Sequence, residues 1–221
     1  PNHHDILDKS HISIIGDIRN LSQLNEVFET HKPEVVFHLA AQALVRYSYD
    51  NPIETYSTNV LGTVSVFEAA RKTNSVKAIV NITSDKCYDN KEWIWGYREN
   101  DPMGGFDPYS ASKGCAELVT SAYRRSFFSS DETASLASAR AGNVIGGGDF
   151  NDDRLIPDII KNFYNNKSVN IKNPSSVRPW QFVLEPLFGY LKLGLVLYIN
   201  KKSFDLASWN FGPDIERTYT V

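Results

Sequence analysis

The chain reads as an α/β protein built on a doubly wound parallel sheet. Short apolar runs alternate with longer amphipathic stretches along most of the sequence. The apolar runs are nearly continuous rather than alternating, as strands covered on both faces are. No repeat or low-complexity tract interrupts the pattern. Strand, helix and strand in regular succession imply parallel neighbours joined by right-handed crossovers.

Taken in order, residues 13–15 are a short apolar run ending at Gly16-Asp17, and residues 21–30 follow as an amphipathic helix. Residues 35–39 read as a buried strand. Pro52 opens a long helix to about residue 73, near the first turn where its missing N–H does no harm. Residues 76–82 are the next strand, 110–128 the next helix and 136–140 another strand. Beyond Gly146-Gly147-Gly148-Asp149 the texture changes. Residues 155–165 read as a helix, 169–172 as a short strand, 178–183 as extended, 186–199 as a helix and 209–211 as a strand. The predicted division is a sheet domain over residues 1–148 and a smaller region over 149–221 that closes over a substrate.

Composition narrows the class. The 221 residues are 42% hydrophobic and 22% charged with a formal net charge of −3, ordinary for a globular protein. That balance argues against nucleic-acid or membrane-surface binding, which favour clustered Lys and Arg. No run of about 18 apolar residues offers a membrane span, and Pro1-Asn2-His3-His4-Asp5 has no signal-peptide pattern. Cys87 and Cys115 lack metal-ligand spacing. They read as free thiols in a reducing, cytoplasmic setting, and His3-His4 reads as a solvated pair; no metal site is expected.

The chemistry concentrates at Tyr109 and Lys113. Four apart at the start of a helical run, they share one face. An ammonium there lowers the cost of ionising the phenol, which can then take a proton from a sugar hydroxyl. The pair also occurs by chance on exposed helices; Ser84-Asp85-Lys86, directly after a predicted strand, gives it company. One absence stands against this. No G-x-G-x-x-G turn, which would present backbone N–H groups to a pyrophosphate, occurs in the chain. Gly146-Gly147-Gly148 follows a strand, but Asp149 would repel a phosphate. Either the first βαβ unit is missing or no dinucleotide binds; the chain opens as though mid-fold, so truncation is the expectation.

His38-Leu39-Ala40-Ala41-Gln42, Asn59-Val60-Leu61-Gly62-Thr63, Thr83-Ser84-Asp85-Lys86, Tyr109-x-x-x-Lys113 and Arg140-Ala141-Gly142-Asn143-Val144 occur in the order found in extended short-chain dehydrogenase/reductases. Closer words resemble the branch whose members dehydrate CDP-glucose: Ser84 to Trp93, Gly96 to Gly105 and Val177-Arg178-Pro179-Trp180-Gln181. The resemblance covers nearly the whole chain, and that family also has an N-terminal Gly-rich unit and a longer C-terminal part. It implies a Rossmann-like sheet, a tightly bound NAD and a nucleotide-sugar substrate. By the same resemblance Tyr109 deprotonates the glucose 4-hydroxyl, Lys113 holds the nicotinamide ribose and keeps Tyr109 acidic, and Ser84 binds the same oxygen. Asp85 is the proton donor for loss of the 6-hydroxyl. Lys86, where a related branch has Glu, is either the base at C5 or an ion-pair partner that keeps Asp85 charged.

For the cofactor, the resemblance implies Asp17 and Ile18 at the adenine, then Leu39, Ala40, Ala41 and Gln42 at the end of a strand, with Asn59 and Thr83 as lesser contacts. Asn143, Arg154 and Arg178 are implied for the substrate, where guanidinium forks suit diphosphate oxygens. Trp180 is either near the base or in the core, Phe182 stands where relatives often have His, and His38 faces the core. Ala111, Gly114, Cys115 and Ala116 allow close helix approach, and a homodimer through the helices near 52–73 and 110–128 is implied. The alternatives are a nucleotide-sugar 4-epimerase and a non-catalytic module of the same fold.

Overall fold

The computed structural model describes residues 11–151, 153–171, 173–200, 207–213 and 219–220. Its centre is a four-stranded, wholly parallel sheet: β1 (Val35–His38), β2 (Ala78–Ile82), β3 (Ser135–Ala141) and β7 (Ser208–Phe211), in that spatial order. Alternate residues of the central strands face opposite layers. Ile79 and Leu136 point to one side, where Phe28 of α1 (Leu21–His31) and Val66, Phe67 and Ala70 of α4 (Gly62–Lys72) pack on them. Ala78, Val80, Ala137 and Ala139 point to the other, against Tyr190, Leu193 and Leu197 of α7 (Leu184–Asn200). Both faces are covered, so the α/β doubly wound class holds.

The helices begin and end where local chemistry directs. Asn20 caps α1 by accepting from the Gln23 N–H at 3.2 Å, and Lys32 closes it in the left-handed conformation. Pro52 opens α3 (Pro52–Tyr56), directly after α2 (Val45–Asp50), a helix with no counterpart in the sequence reading. The expected single helix over 52–73 is instead α3, a π-helical turn Ser57–Leu61 and α4. α5 (Pro108–Ser126) is capped by Asp107, whose carboxylate accepts from the Ser110 N–H at 2.9 Å and the Ser110 hydroxyl at 2.6 Å.

Two expected strands do not form. Residues 13–15 join no sheet: Ile15 is 95% exposed, and its carbonyl accepts from the Gln23 side chain at 3.1 Å rather than from a neighbouring strand. Residues 169–171 are irregular, and Lys172 lies outside the described residues, as do His3 and His4. The C-terminal part contributes α6 (Leu155–Tyr164), a parallel pair of β4 (Val144–Ile145) with β6 (Gln181–Phe182), and an antiparallel pair of β5 (Val177–Arg178) with β8 (Tyr219–Thr220). It also returns to the main sheet, because α7 and β7 both come from beyond residue 148.

Candidate active site

The cap on α5 brings the first site residue inward. Asp107 and Pro108 start the helix so that Tyr109 falls in its first turn, where its N–H donates to the Ser48 hydroxyl of α2 at 3.1 Å. Its side chain is buried. Opposite, β2 ends at Ile82, and a 3-10 turn Asp85–Cys87 follows, with the Ser84 hydroxyl accepting from the Lys86 N–H at 3.2 Å. Gly114 makes the close approach possible, since a β-carbon there would lie 3.0 Å from the Gly104 carbonyl and 3.3 Å from that of Cys87. Gly114 and Ala116 therefore face inward, not toward a partner helix; Ala111 and Cys115 of the same small-residue set lie nearer the surface.

Ser84 acts on both partners. Its hydroxyl eases ionisation of the Tyr109 phenol and donates to Asp85 Oδ1 at 3.0 Å. Asp85 Oδ2 lies 3.5 Å from Lys86 Nζ, whose side chain is 43% exposed. Of the two readings for Lys86, the resting geometry is the ion pair. The expected acidification of Tyr109 is absent. Burial pushes the phenol above its ordinary value; the Ser84 hydroxyl opposes this, and the Asp85 charge adds to it. The same burial pulls the Lys113 ammonium down to about 8, against the Glu117 carboxylate, which holds it up. His38, at the end of β1, is pulled down to about 4 by burial and by the Lys113 charge. Its Nε2 lies 3.1 Å from the Thr63 hydroxyl, which itself donates to the Asn59 carbonyl, so Nε2 carries the hydrogen.

Beneath these groups lies a network that the sequence reading missed. Glu117 and Arg140 form an ion pair at 2.7 Å with both side chains 4% exposed. Glu117 also accepts from the hydroxyls of Thr83 and of Ser138, the latter at 2.7 Å. Arg140 donates to the Tyr88 hydroxyl at 2.7 Å and the Glu99 carbonyl at 2.8 Å. Tyr88 passes the chain to Asn210 of β7 at 2.7 Å. The available signals were a glutamate one helical turn beyond Lys113 and an arginine within a strand of small residues. Thr83, expected beside the cofactor, has its hydroxyl on Glu117.

An open cleft of about 670 Å³ adjoins this centre, lined by Asp17, Ile18, Ala40, Ala41, Gln42 and Arg154, among others. Gly62 lets Ile18 sit against the π-helical turn, since a β-carbon there would meet Ile18 Cδ1 at 2.5 Å. Asn59, in that turn, is buried. Its amide accepts from the Gln42 N–H at 2.8 Å and donates to the Gln42 carbonyl at 2.9 Å and to Ser112 at 2.8 Å. It thereby ties the cleft wall to α5. Leu39 is exposed beside it. Asp17 is held by Arg19, whose Nε and backbone N–H reach Oδ1 at 3.0 and 2.8 Å, and whose hydrogen bonds take the carboxyl down to about 2. The cleft fits a dinucleotide. It has a charged carboxylate at one end and low alanine walls that follow His38, the end of β1, which feels the Lys113 charge.

Of the expected substrate residues, Arg154 lines the cleft, whereas Asn143 and Arg178 are not among its lining residues, and the Arg178 guanidinium donates to the Val177 carbonyl at 2.8 Å. Arg154 Nη2 donates to the Ala43 carbonyl at 3.2 Å, and its charge lowers the cost of ionising Tyr109. Arg46 of α2 pairs with Asp153 at 2.9 Å, which ties the segment before α6 to the cleft. Asn143 is half-buried and accepts the Gln181 N–H at 3.0 Å. Arg178 is one residue from Pro179, which packs on Gly142, and a β-carbon at Gly142 would also lie 3.6 Å from Asp85 Oδ2. Trp180 and Phe182 continue that segment, half-buried and exposed respectively. Cys87 is buried, with its thiol pushed up to about 12 by that burial, and both cysteines are free. Among the described residues no helix is long and apolar enough to cross a membrane, and no cluster of metal-ligating side chains occurs.

Comparison with known proteins agrees with this arrangement. The chain is 60% identical over 213 residues to a CDP-glucose 4,6-dehydratase of Salmonella typhimurium, covering 95% of this chain and 59% of the relative's length. Among solved structures it is similar to a UDP-glucose 4-epimerase of Thermotoga maritima, with a TM-score of 0.82 at 21% identity, over 98% of this chain and 66% of the other. It is also similar to a dTDP-glucose 4,6-dehydratase of Streptomyces venezuelae crystallised with NAD, with a TM-score of 0.74 at 23% identity, over 89% of this chain and 56% of the other. At these identities the two structures speak for the fold alone. Residues 2–192 match a family as a whole, and this chain belongs to the NAD dependent epimerase/dehydratase family.

Proposed function

We propose that this chain carries the active site of a CDP-glucose 4,6-dehydratase, which converts CDP-D-glucose to CDP-4-keto-6-deoxy-D-glucose with NAD as a recycled cofactor. The observation that carries the reading is the Ser84 side chain, which acts on the Tyr109 phenol on one side and bonds the Asp85 carboxylate on the other. Redox proton transfer at C4 and elimination across C5 and C6 then share one anchor. The relative at 60% identity bears the same name.

Nicotinamide, when bound, supplies the hydride acceptor at C4 and the donor at C6. Asp17 and Ile18 hold the adenine end, Leu39, Ala40, Ala41 and Gln42 form the wall, and Asn59 sets that wall in place. Tyr109 takes the 4-hydroxyl proton, with Ser84 bonded to the same oxygen and Lys113 gripping the ribose. The raised phenol needs a cationic neighbour to ionise; Arg154 already acts in that sense. Once C4 is a ketone, the C5 proton is acidic. Substrate entry dries the Asp85–Lys86 pair, and an ion pair in a dry site can relax to its neutral form by moving one proton from Lys86 to Asp85. Lys86 is then the base at C5, and Asp85 gives its proton to the departing 6-hydroxyl, which leaves as water. Asn143, Arg154 and Arg178 hold the nucleotide diphosphate.

The segment over 149–183 is the substrate-closing part of the region beyond residue 148. The protein acts as a homodimer through its outer helices and works in the cytoplasm. Incubating the full-length protein with CDP-glucose and NAD+ gives a 4-keto sugar, seen by its near-ultraviolet chromophore in alkali. A 4-epimer without that chromophore would overturn dehydration in favour of an epimerase, and no turnover of bound CDP-glucose would favour a non-catalytic module. Tyr109→Phe lowers kcat by about 10²–10⁴-fold, the range of general acid–base catalysis, with unchanged circular dichroism.

A further inference from the structure

Tyr109, Lys113 and Glu117 recur every four residues on one face of α5, and all three are buried. A carboxylate this deep needs partners. Glu117 has Arg140 at 2.7 Å, Ser138 at 2.7 Å and the Thr83 hydroxyl, so two strands of the sheet hold it in one place. The other titratable groups acting with Lys113 are Cys87 of the 3-10 turn and His38 at the end of β1. Burial keeps both neutral, the thiol pushed up to about 12 and the imidazole pulled down to about 4. Glu117, paired with Arg140, is therefore the formal negative charge whose field acts on Lys113 from one helical turn away, among the described residues.

We propose that Glu117 is a positioning residue for the Tyr109–Lys113 pair: clamped by Arg140, Ser138 and Thr83, it sets a buried carboxylate one helical turn beyond Lys113 and keeps that lysine in its ammonium form. The proposal rests on the reading of Tyr109 and Lys113 given above. A neutral amine would leave the phenol without the cation that its chemistry needs, so the charge pair in the core serves the reaction as well as the packing.

The test measures Lys113 directly in the full-length protein, by 13Cε-lysine NMR, with Lys113→Arg assigning its resonance. In the unsubstituted protein the resonance titrates near pH 8. In Glu117→Gln the midpoint falls by about one pH unit or more, the size expected on losing an opposite charge nearby. The alkaline limb of kcat/KM moves down with it. Thr83→Val and Ser138→Ala each remove one hydrogen bond but keep the carboxylate, and leave the midpoint where it was. Glu117→Gln strands the Arg140 charge; if that variant does not fold, Glu117→Gln with Arg140→Gln removes both charges and still lowers the midpoint. An unmoved midpoint in whichever of the two folds, or an equal shift in Ser138→Ala, overturns the proposal. If the midpoint moves while Lys113→Met turns over CDP-glucose normally, the coupling stands and the catalytic reading of Lys113 fails instead.

Discussion

At the scale of single residues, burial does most of the tuning. His38 shows it most simply. Enclosed beside Thr63 and near the Lys113 charge, it has its titration pulled from an ordinary 6.5 to about 4. Between those two values the unfolded chain binds a proton there that the folded protein does not. Stability from this group is thus complete above about pH 6.5 and is lost as pH falls through 4. The loss amounts to roughly 3 kcal/mol at most, at 1.36 kcal/mol per unit. Denaturant melts at pH 7, 5.5 and 4.5 show a steeper decline for the unsubstituted protein than for His38→Asn; parallel declines would mean that the acid sensitivity arises elsewhere. Residues of this kind separate what sequence can show from what it cannot. Tyr109 and Lys113 stand at a local spacing that reveals their partnership, and Ser84, far upstream, was legible through the Thr83-Ser84-Asp85-Lys86 motif after a predicted strand. Glu117 and Arg140 are 23 positions apart, and nothing but the crossover from α5 to β3 brings them together. Lys113 was expected to acidify Tyr109 because spacing carries charge but not burial, and burial acts on both.

At the scale of elements, α5 is the frame of the site, and its start matters most. Asp107 caps the helix through the Ser110 N–H and hydroxyl, Pro108 fixes the first turn, and Tyr109 is anchored to α2 through Ser48. Removing the cap in Asp107→Ala costs about 1 kcal/mol of stability. Because the phenol sits in the first turn, the change also lowers kcat more than it raises KM for CDP-glucose. A variant with lowered stability and unchanged kcat would show that the Ser48 anchor alone holds Tyr109. The helix itself was legible within two residues at each end, since Pro at its first turn and a basic last turn mark it. The π-helical turn at Ser57–Leu61 was not. Its extra residue per turn goes with an Asn59 that faces the Gln42 backbone and Ser112, a demand set by tertiary contact that leaves no mark on the 3.6-residue period.

At the scale of the whole molecule, the parallel sheet was readable because β2 and β3 are buried on both faces and therefore small or apolar apart from Asn81 and Arg140. Residues 13–15 share that composition yet form no strand, because a strand also needs a neighbour to pair with. The same logic of uncovered surface bears on assembly. Ala111, Cys115, Leu118 and Ala122 recur along the outer side of α5, with Leu118 61% exposed, and Ile53, Tyr56 and Leu61 are exposed along α3 and the π-helical turn. Small and apolar side chains at helical spacing on helices that already pack together suit a two-fold interface, in which each patch meets its own copy. A second apolar stripe, Leu184, Phe188, Leu191 and Leu195, runs along the outside of α7, so the two faces need separating. On the proposed dimer, Leu118→Glu places a charge twice in the expected interface and gives monomer in sedimentation velocity, with the thermal melt otherwise intact because residue 118 lies outside the core. Leu191→Glu leaves the dimer whole. If instead Leu191→Glu dissociates it and Leu118→Glu does not, α7 forms the interface, and the small residues along α5 serve only the packing of the loop from Asp85 to Gly105.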